Sequence, residues 1–163
     1  MNYISAVGIT VGLLAGAWVF ASGALGFIAF AGFLGWATYF AAGGKLDGMK
    51  KALCCNIAGV FWGVVTIFIS GLIPNSLGLV ITILVAAIMC WQAKISFLSF
   101  IPGTFIGNAA FYATDCNGIG ALLGLVIGIM LGYISDIGAQ KLAPKSTALP
   151  AENGAEKGAD IFS

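Results

Sequence analysis

The chain has 163 residues, of which 60% are hydrophobic and only 8% are charged, and its net charge at pH 7 is +1. This composition excludes an ordinary soluble domain, and the few scattered basic residues exclude the charge pattern of a nucleic-acid-binding protein. At roughly 20 residues per membrane-spanning helix, nearly the whole length is needed for spans.

Six apolar stretches follow one another, and each predicts a transmembrane helix. They cover residues 3–21, 25–42, 52–72, 77–91, 95–114 and 118–137. The sequence therefore predicts an all-α polytopic membrane protein whose six-helix transmembrane domain spans residues 1–140. Residues 141–163 are rich in Ala, Pro, Lys, Glu and Gly, and we expect a solvated cytoplasmic tail there.

The first predicted helix carries glycine at every fourth position. Its start lacks the basic region of a cleavable signal peptide, so we expect the helix to be retained. A step of four keeps small residues on one face, where a neighbouring backbone can approach closely. Glycines predicted to pack helices, within or between protomers, are Gly8, Gly12, Gly16, Gly59, Gly63, Gly120, Gly124, Gly128 and Gly132. The alternative is that some of these strips line a pore.

The second predicted helix contains Trp36 and Thr38. Aromatic residues near membrane interfaces are usually anchors. Trp36 lies deeper in its span, so we expect it to form a constriction. Thr38 is a polar residue within the span, and we count it among the candidate pore-lining residues.

All seven basic residues are lysines, and all lie on one side of the six predicted spans. They occupy the second gap, the fourth gap and the tail: Lys45, Lys50, Lys51, Lys94, Lys141, Lys145 and Lys157. Positively charged short loops stay in the cytoplasm. The sequence therefore predicts a multi-pass protein of the bacterial inner membrane with both termini cytoplasmic.

Residues that could carry chemistry are few. The chain has no histidine, and Cys54, Cys55 and Cys90 fall on the predicted cytoplasmic side while Cys116 falls outside. We therefore predict passive thiols, no metal site and no cofactor. No ionisable residue lies in the interior of a predicted span, which argues against proton relays and ion-coupled pumps. Without a nucleophile beside a base, the chain is not predicted to be an enzyme.

The fifth predicted helix contains Pro102 and Gly103. Proline removes an amide donor and clashes with the carbonyl four residues back, so we expect a kink or break. One interpretation is an ordinary proline kink. The other is a discontinuous helix whose tip, around Gly103 and Thr104, presents amides and a positive dipole end to a solute. Ser99, Thr104 and Asn108 are then expected to face the protein interior or a wet cavity.

The two halves of the chain resemble each other. Residues 35–41 align with residues 107–113, which places Trp36 opposite Asn108, and residues 59–63 align with residues 124–128. Three helices per half would invert the second half, so we predict a 3+3 inverted-topology repeat with halves at about 1–72 and 75–140. Chance similarity among glycine-rich apolar helices is the alternative. The candidate pore or ligand residues are Ser99, Pro102, Gly103, Thr104, Gly107, Asn108, Trp36 and Thr38.

Residues 31–41, residues 89–94 and the segment 99–107 together carry a family resemblance. Over about residues 1–140 the chain resembles the YcdZ-like bacterial inner-membrane proteins, which are short multi-spanning proteins grouped as a domain of unknown function. The resemblance implies an inner-membrane location and a multi-span topology, and it supplies no substrate.

Two functions fit these patterns. The first is a channel or facilitator for a small uncharged or weakly polar solute, without ion coupling. The second is a non-transporting membrane subunit that docks a partner protein. The lipid bilayer is a partner in both cases. We also expect a homo-oligomer, because one protomer of this size leaves little room for a pathway.

Overall fold

The apolar stretches fold as six α-helices joined by short connections. The computed structural model describes residues 1–144, and the structural statements below concern this part of the chain. The helices are α1 (Tyr3–Leu25), α2 (Ala29–Ala41), α3 (Lys45–Ser70), α4 (Gly78–Trp91), α5 (Ile101–Ala113) and α6 (Gly118–Leu142). Short 3-10 turns lie at Asn75–Leu77, Gln92–Lys94 and Ser96–Leu98. The all-α prediction is confirmed. The sequence predicts the tail from residue 141, but Lys141 and Leu142 belong to α6; residues 145–163 lie outside the described residues.

Local sequence signals set several helix ends. The Asn2 side chain caps α1 by accepting a backbone amide at 2.8 Å, and α1 ends at Gly26, whose φ of 72° is left-handed. Gly43 and Gly44 also have positive φ angles, of 95° and 65°. They turn the chain directly into α3, which begins at Lys45 rather than at residue 52. The lysines of the second predicted gap, Lys45, Lys50 and Lys51, therefore lie on the first turns of α3 instead of in a loop.

The helices divide into three long and three short ones. By length and composition, α1, α3 and α6 can cross a membrane, with 23, 26 and 25 residues. The helices α2 and α5 have 13 residues each and α4 has 14. At about 1.5 Å per residue, a 13-residue helix covers about 20 Å, less than the ~30 Å hydrocarbon core. Thus three of the six predicted spans form helices long enough to cross a membrane, and the other three form shorter helices.

The short helix α2 packs directly onto α6 through glycine. A β-carbon at Gly35 would overlap the Leu125 carbonyl oxygen, and one at Gly128 would overlap the Gly32 carbonyl oxygen. A β-carbon at Gly132 would lie 2.8 Å from the Tyr39 ring. Only glycine allows the two backbones to come this close.

The short helix α5 packs onto α3 in the same manner. A β-carbon at Gly107 would overlap the Asn56 carbonyl oxygen, and one at Gly59 would overlap the Thr104 carbonyl oxygen. A β-carbon at Gly63 would lie 2.5 Å from the Phe111 ring. The predicted packing role of the glycines in α3 and α6 therefore operates within one chain.

The helices α2, α3, α5 and α6 form the centre of the fold, and α1 and α4 pack at its outside. Ala6 of α1 and Ala139 of α6 share a small buried cluster, and the Thr10 hydroxyl donates to the Ser135 carbonyl oxygen at 2.9 Å. On α4, the buried residues Ile81, Val85 and Met89 pack against α3. The predicted packing glycines of α1 have no atom within 4 Å of a built β-carbon: Gly8, Gly12 and Gly16. That strip is open in the single chain.

We expect Gly128→Leu to destabilise the folded chain strongly, because the new side chain would push α6 away from the Gly32 backbone. Overpacking of this kind costs about 1–3 kcal/mol or more. The melting temperature of detergent-purified protein, followed by tryptophan fluorescence, measures the effect. Gly12→Leu makes the same chemical change where nothing lies within 4 Å and is expected to leave the monomer's melting temperature unchanged. Equal melting temperatures for both variants would contradict the α2–α6 contact.

Candidate functional site

The fifth predicted span, residues 95–114, is broken, but at residues 95–100 rather than at Pro102 and Gly103 as predicted. Helix α4 ends at Trp91, two 3-10 turns follow, and α5 begins at Ile101. Pro102 therefore occupies the first turn of α5, where a helix does not need its missing amide. The proline starts a helix rather than interrupting one.

A chain of hydrogen bonds holds this break in place. The Trp62 indole nitrogen donates to the Gln92 side-chain oxygen at 2.9 Å, and the Gln92 side-chain nitrogen donates to the Thr104 hydroxyl at 2.9 Å. Thr104 is fully buried. Because irregular backbone at membrane depth needs partners from the protein itself, this chain ties the turn after α4 to both α3 and α5. Gln92 was not identified from the sequence. Its position was the available signal, because it is a carboxamide in the connection that leads to a helix with proline in its first turn.

A cavity of about 480 Å³ lies between α3, α4 and α5. Its polar lining residues come from all three helices: Thr66, Ser70, Thr82, Asn108 and Tyr112. Two of these hydroxyls bond to their own helix, since Thr66 donates to the Trp62 carbonyl at 2.7 Å and Thr82 donates to the Gly78 carbonyl at 3.1 Å. The other lining residues are apolar side chains and a glycine, and none carries a charge. The cavity therefore offers an uncharged, weakly polar surface.

Asn108 is the one predicted site residue that lines this cavity. Its side-chain nitrogen donates to the Gly59 carbonyl oxygen at 3.3 Å across the α3–α5 contact. That bond places the carboxamide at the cavity wall. Asn108 is half-buried, so the group is held by the protein while remaining accessible.

The remaining predicted residues of α5 have different surroundings. Ser99 is exposed, contrary to the expectation of an interior position, because it precedes the first residue of α5. A β-carbon at Gly103 would lie 2.6 Å from the Phe100 ring and 2.9 Å from the Cys55 β-carbon, and the Gly103 amide donates to the Phe100 carbonyl at 3.0 Å. Gly103, like Gly107, thus lies in a close helix contact rather than at the cavity.

The two predicted residues of α2 are buried. Thr38 is fully buried and donates to the Leu34 carbonyl oxygen of its own helix at 2.7 Å. Trp36 is 4% exposed and stacks on Phe33 with ring centroids 6.3 Å apart. Among residues 1–144, its indole nitrogen has no hydrogen-bond partner. The same is true of both side-chain polar atoms of Asn56, which is 1% exposed on α3.

A second polar cluster surrounds the Asp136 carboxylate near the end of α6. The carboxylate accepts the Tyr3 hydroxyl at 2.5 Å and the Tyr39 hydroxyl at 2.7 Å. The Gln140 side-chain nitrogen donates to it at 3.0 Å, and the Lys45 amide approaches it at 3.5 Å. One carboxylate thereby joins the start of α1, the end of α2, the start of α3 and the last turns of α6. Asp136 is 4% exposed, although the sequence placed it only at the edge of a span.

The Asp136 cluster has the contacts of a structural tie. Its donors are two phenols, an amide side chain and a backbone amide, and they come from four different parts of the chain. Between residues 1 and 144, no group of three or more His, Cys, Asp or Glu side chains could hold a metal ion.

We expect Asp136→Asn to lower the free energy of unfolding by about 2 kcal/mol, because hydrogen bonds to a charged group contribute about 1.5–3 kcal/mol and neutralisation weakens several at once. Thermal unfolding in detergent measures this. The matched control is Asp115→Asn at an exposed position whose φ of 53° suits asparagine, and we expect no loss of stability there. Identical melting temperatures would show that the carboxylate does not tie the helices together.

The chain has clear relatives among known proteins. The family described as "Protein of unknown function (DUF1097)" matches residues 8–140. The "Inner membrane protein YcdZ" of Escherichia coli (strain K12) is 42% identical over 136 residues, which cover 82% of this chain and 83% of that protein. The protein of the same name from Salmonella typhimurium is 39% identical, over 82% of this chain and 85% of its own length.

A further relative covers more of the chain. The "Uncharacterized protein YahC" of Escherichia coli (strain K12) is 33% identical over 160 residues, which cover 90% of this chain and 97% of that protein. No solved structure matches the chain. The family match covers most of the length, and the YcdZ inner membrane proteins are clear relatives. This chain therefore belongs to the DUF1097 family.

Proposed function

We propose that this protein is an integral protein of the bacterial inner membrane that acts as a channel or facilitator for a small uncharged or weakly polar solute, without ion coupling. The observation that carries the proposal is the cavity between α3, α4 and α5, with Asn108 at its wall. Its lining is uncharged, and an uncharged lining favours solutes that carry no charge. A carboxamide can both donate and accept hydrogen bonds, which suits a polar but neutral solute.

The pathway is proposed to lie within a six-span, 3+3 inverted repeat. Helices α2 and α5 have equal length, and Ala29 and Ile101 begin them with a shift of 72 residues. With that same shift, the Gly35–Leu125 contact corresponds to the Gly107–Asn56 contact. Matched pairs of contacts in two halves of a chain are what a duplicated unit of three helices would produce.

Matching the contacts of the two halves also aligns α3 with α6, but in a different register from the sequence alignment. The Gly128–Gly32 contact corresponds to the Gly59–Thr104 contact, and the Gly132–Tyr39 contact corresponds to the Gly63–Phe111 contact. Gly59 is therefore paired with Gly128, a shift of 69 residues, whereas the sequence alignment paired it with Gly124. The two pairings differ by four residues, about one helical turn. Because glycine recurs every four residues in α6, the sequence alignment cannot distinguish between them.

A homo-oligomer is part of the proposal. The cavity is partly open, so a further wall would have to come from outside the described part of the chain. The glycine strip of α1 supports close association, since Gly8, Gly12 and Gly16 are exposed and have no neighbour within 4 Å. In a bilayer, such faces let helices of different protomers approach closely.

We expect Asn108→Leu to reduce solute flux several-fold, because leucine removes the polar group from the cavity wall and fills part of the space. The measurement is stopped-flow shrinkage and reswelling of proteoliposomes containing only this chain, with urea and glycerol as probes. Ala109→Leu, at an exposed neighbouring position, is the matched control and should not change flux. Wild-type flux equal to that of protein-free vesicles would overturn the channel proposal and favour a non-transporting subunit.

We also expect Cys116 to react with a membrane-impermeant maleimide in intact cells, because the proposed orientation places the α5–α6 connection outside. Cys116 and Cys90 are both exposed, and Cys90 lies at the opposite end of the bundle from Cys116 in this orientation. Single-cysteine variants that retain one or the other therefore form a matched pair. Labelling of the Cys90 variant alone would reverse the orientation.

A further inference from the structure

A second cavity, of about 360 Å³, lies where α3 meets the turn before α5. It is lined by Asp47, Lys50, Lys51, Ser96 and Phe97. The two lysines are exposed and lie in the second turn of α3, while Ser96 and Phe97 belong to the Ser96–Leu98 turn. Two cationic groups, one carboxylate and one hydroxyl give the cavity a net positive charge. It is separate from the Asn108 cavity and is built from different residues.

One of the five lining residues, Phe97, is apolar, and it is 58% exposed. Two apolar residues that adjoin the lining in sequence are also exposed: Ile95, next to Ser96, at 46%, and Leu46, next to Asp47, at 52%. The Cys55 thiol lies 3.8 Å from the Phe97 carbonyl oxygen as a hydrogen-bond donor, which fixes the turn against α3. Exposed apolar side chains directly beside lysines are typical of a surface at the boundary between headgroups and acyl chains.

We propose that this cavity binds the headgroup of an anionic phospholipid. The ammonium groups of Lys50 and Lys51 contact the phosphate oxygens, and the Ser96 hydroxyl donates a further hydrogen bond to them. The acyl chains lie along Phe97 and Ile95. Basic pockets between membrane helices recognise anionic headgroups in this way. Charge complementarity selects an anionic lipid over a zwitterionic one, and the exposed Phe97 ring selects a lipid over free phosphate.

The bound lipid would act on the turn that precedes α5. That turn connects the cavity to the close contact of Gly103 with Cys55. Occupation by lipid therefore holds the start of α5 against α3 from the membrane surface. The proposal is independent of the channel function and of the orientation of the chain, because it requires only that this end of α3 lies at a membrane interface.

Native mass spectrometry of the detergent-purified full chain tests the proposal. The probes are phosphatidylglycerol and phosphatidylcholine with identical acyl chains. We expect wild-type protein to retain phosphatidylglycerol at least five-fold more than phosphatidylcholine, and the double variant Lys50→Gln/Lys51→Gln to lose that preference. The control Lys45→Gln/Lys141→Gln removes the same charge from two other exposed lysines and should behave as wild type.

Two further arms decide the source of the phosphate. Millimolar inorganic phosphate should not displace bound phosphatidylglycerol, since it lacks acyl chains, and Phe97→Ser should weaken lipid retention while both lysines remain. Equal retention of the two lipids by wild-type protein would overturn the proposal. Full displacement by inorganic phosphate would also overturn it, in favour of a soluble anion. Retention by the Lys50/Lys51 double variant equal to that of the control would show that these lysines do not form the site.

Discussion

The structure depends on two contacts in which one helix backbone lies directly against another. In a bilayer, apolar side chains gain nothing by leaving lipid for a neighbouring helix, so close backbone packing must supply the association. The α2–α6 contact at Gly35 and Gly128 and the α3–α5 contact at Gly59 and Gly107 supply it here. The polar contacts follow from them. The Asn108 side chain reaches the Gly59 carbonyl only because the two backbones are adjacent, and Tyr39, packed on Gly132, reaches Asp136.

Short helices create a second constraint, because non-helical backbone at membrane depth must find hydrogen-bond partners within the protein. Two tryptophans contribute to this. The Trp18 indole nitrogen donates to the Ala29 carbonyl oxygen at the start of α2, at 3.0 Å, and Trp62 supports the start of α5 through Gln92. Both residues lie on a neighbouring long helix. The long helices α1 and α3 therefore hold the beginnings of the short helices α2 and α5.

The two cavities differ in the chemistry that they offer. The cavity beside Asn108 is bounded by hydroxyls and a carboxamide without charge, and this lining suits a neutral solute. The cavity beside Lys50 and Lys51 is charged and includes the exposed Phe97 ring, which suits the membrane interface. An uncharged lining between helices and lysines at the start of α3 both agree with the cost of placing an ionised group in hydrocarbon.

The sequence by itself determined the number of helices, the all-α class, a discontinuity in the fifth predicted span and the close packing of glycines in α3 and α6, because these depend on local composition and spacing. Tertiary structure decided which rows of glycine pack against another helix and that Ser99 is exposed. It set the length of α2, which is as short as α5 although α2 contains no proline. It also decided the roles of Gln92 and Asp136. The Tyr3–Asp136 hydrogen bond joins residues 133 positions apart, and periodicity within one helix carries no information about a partner at that distance. Only the packing of α1, α2 and α6 brings those groups together.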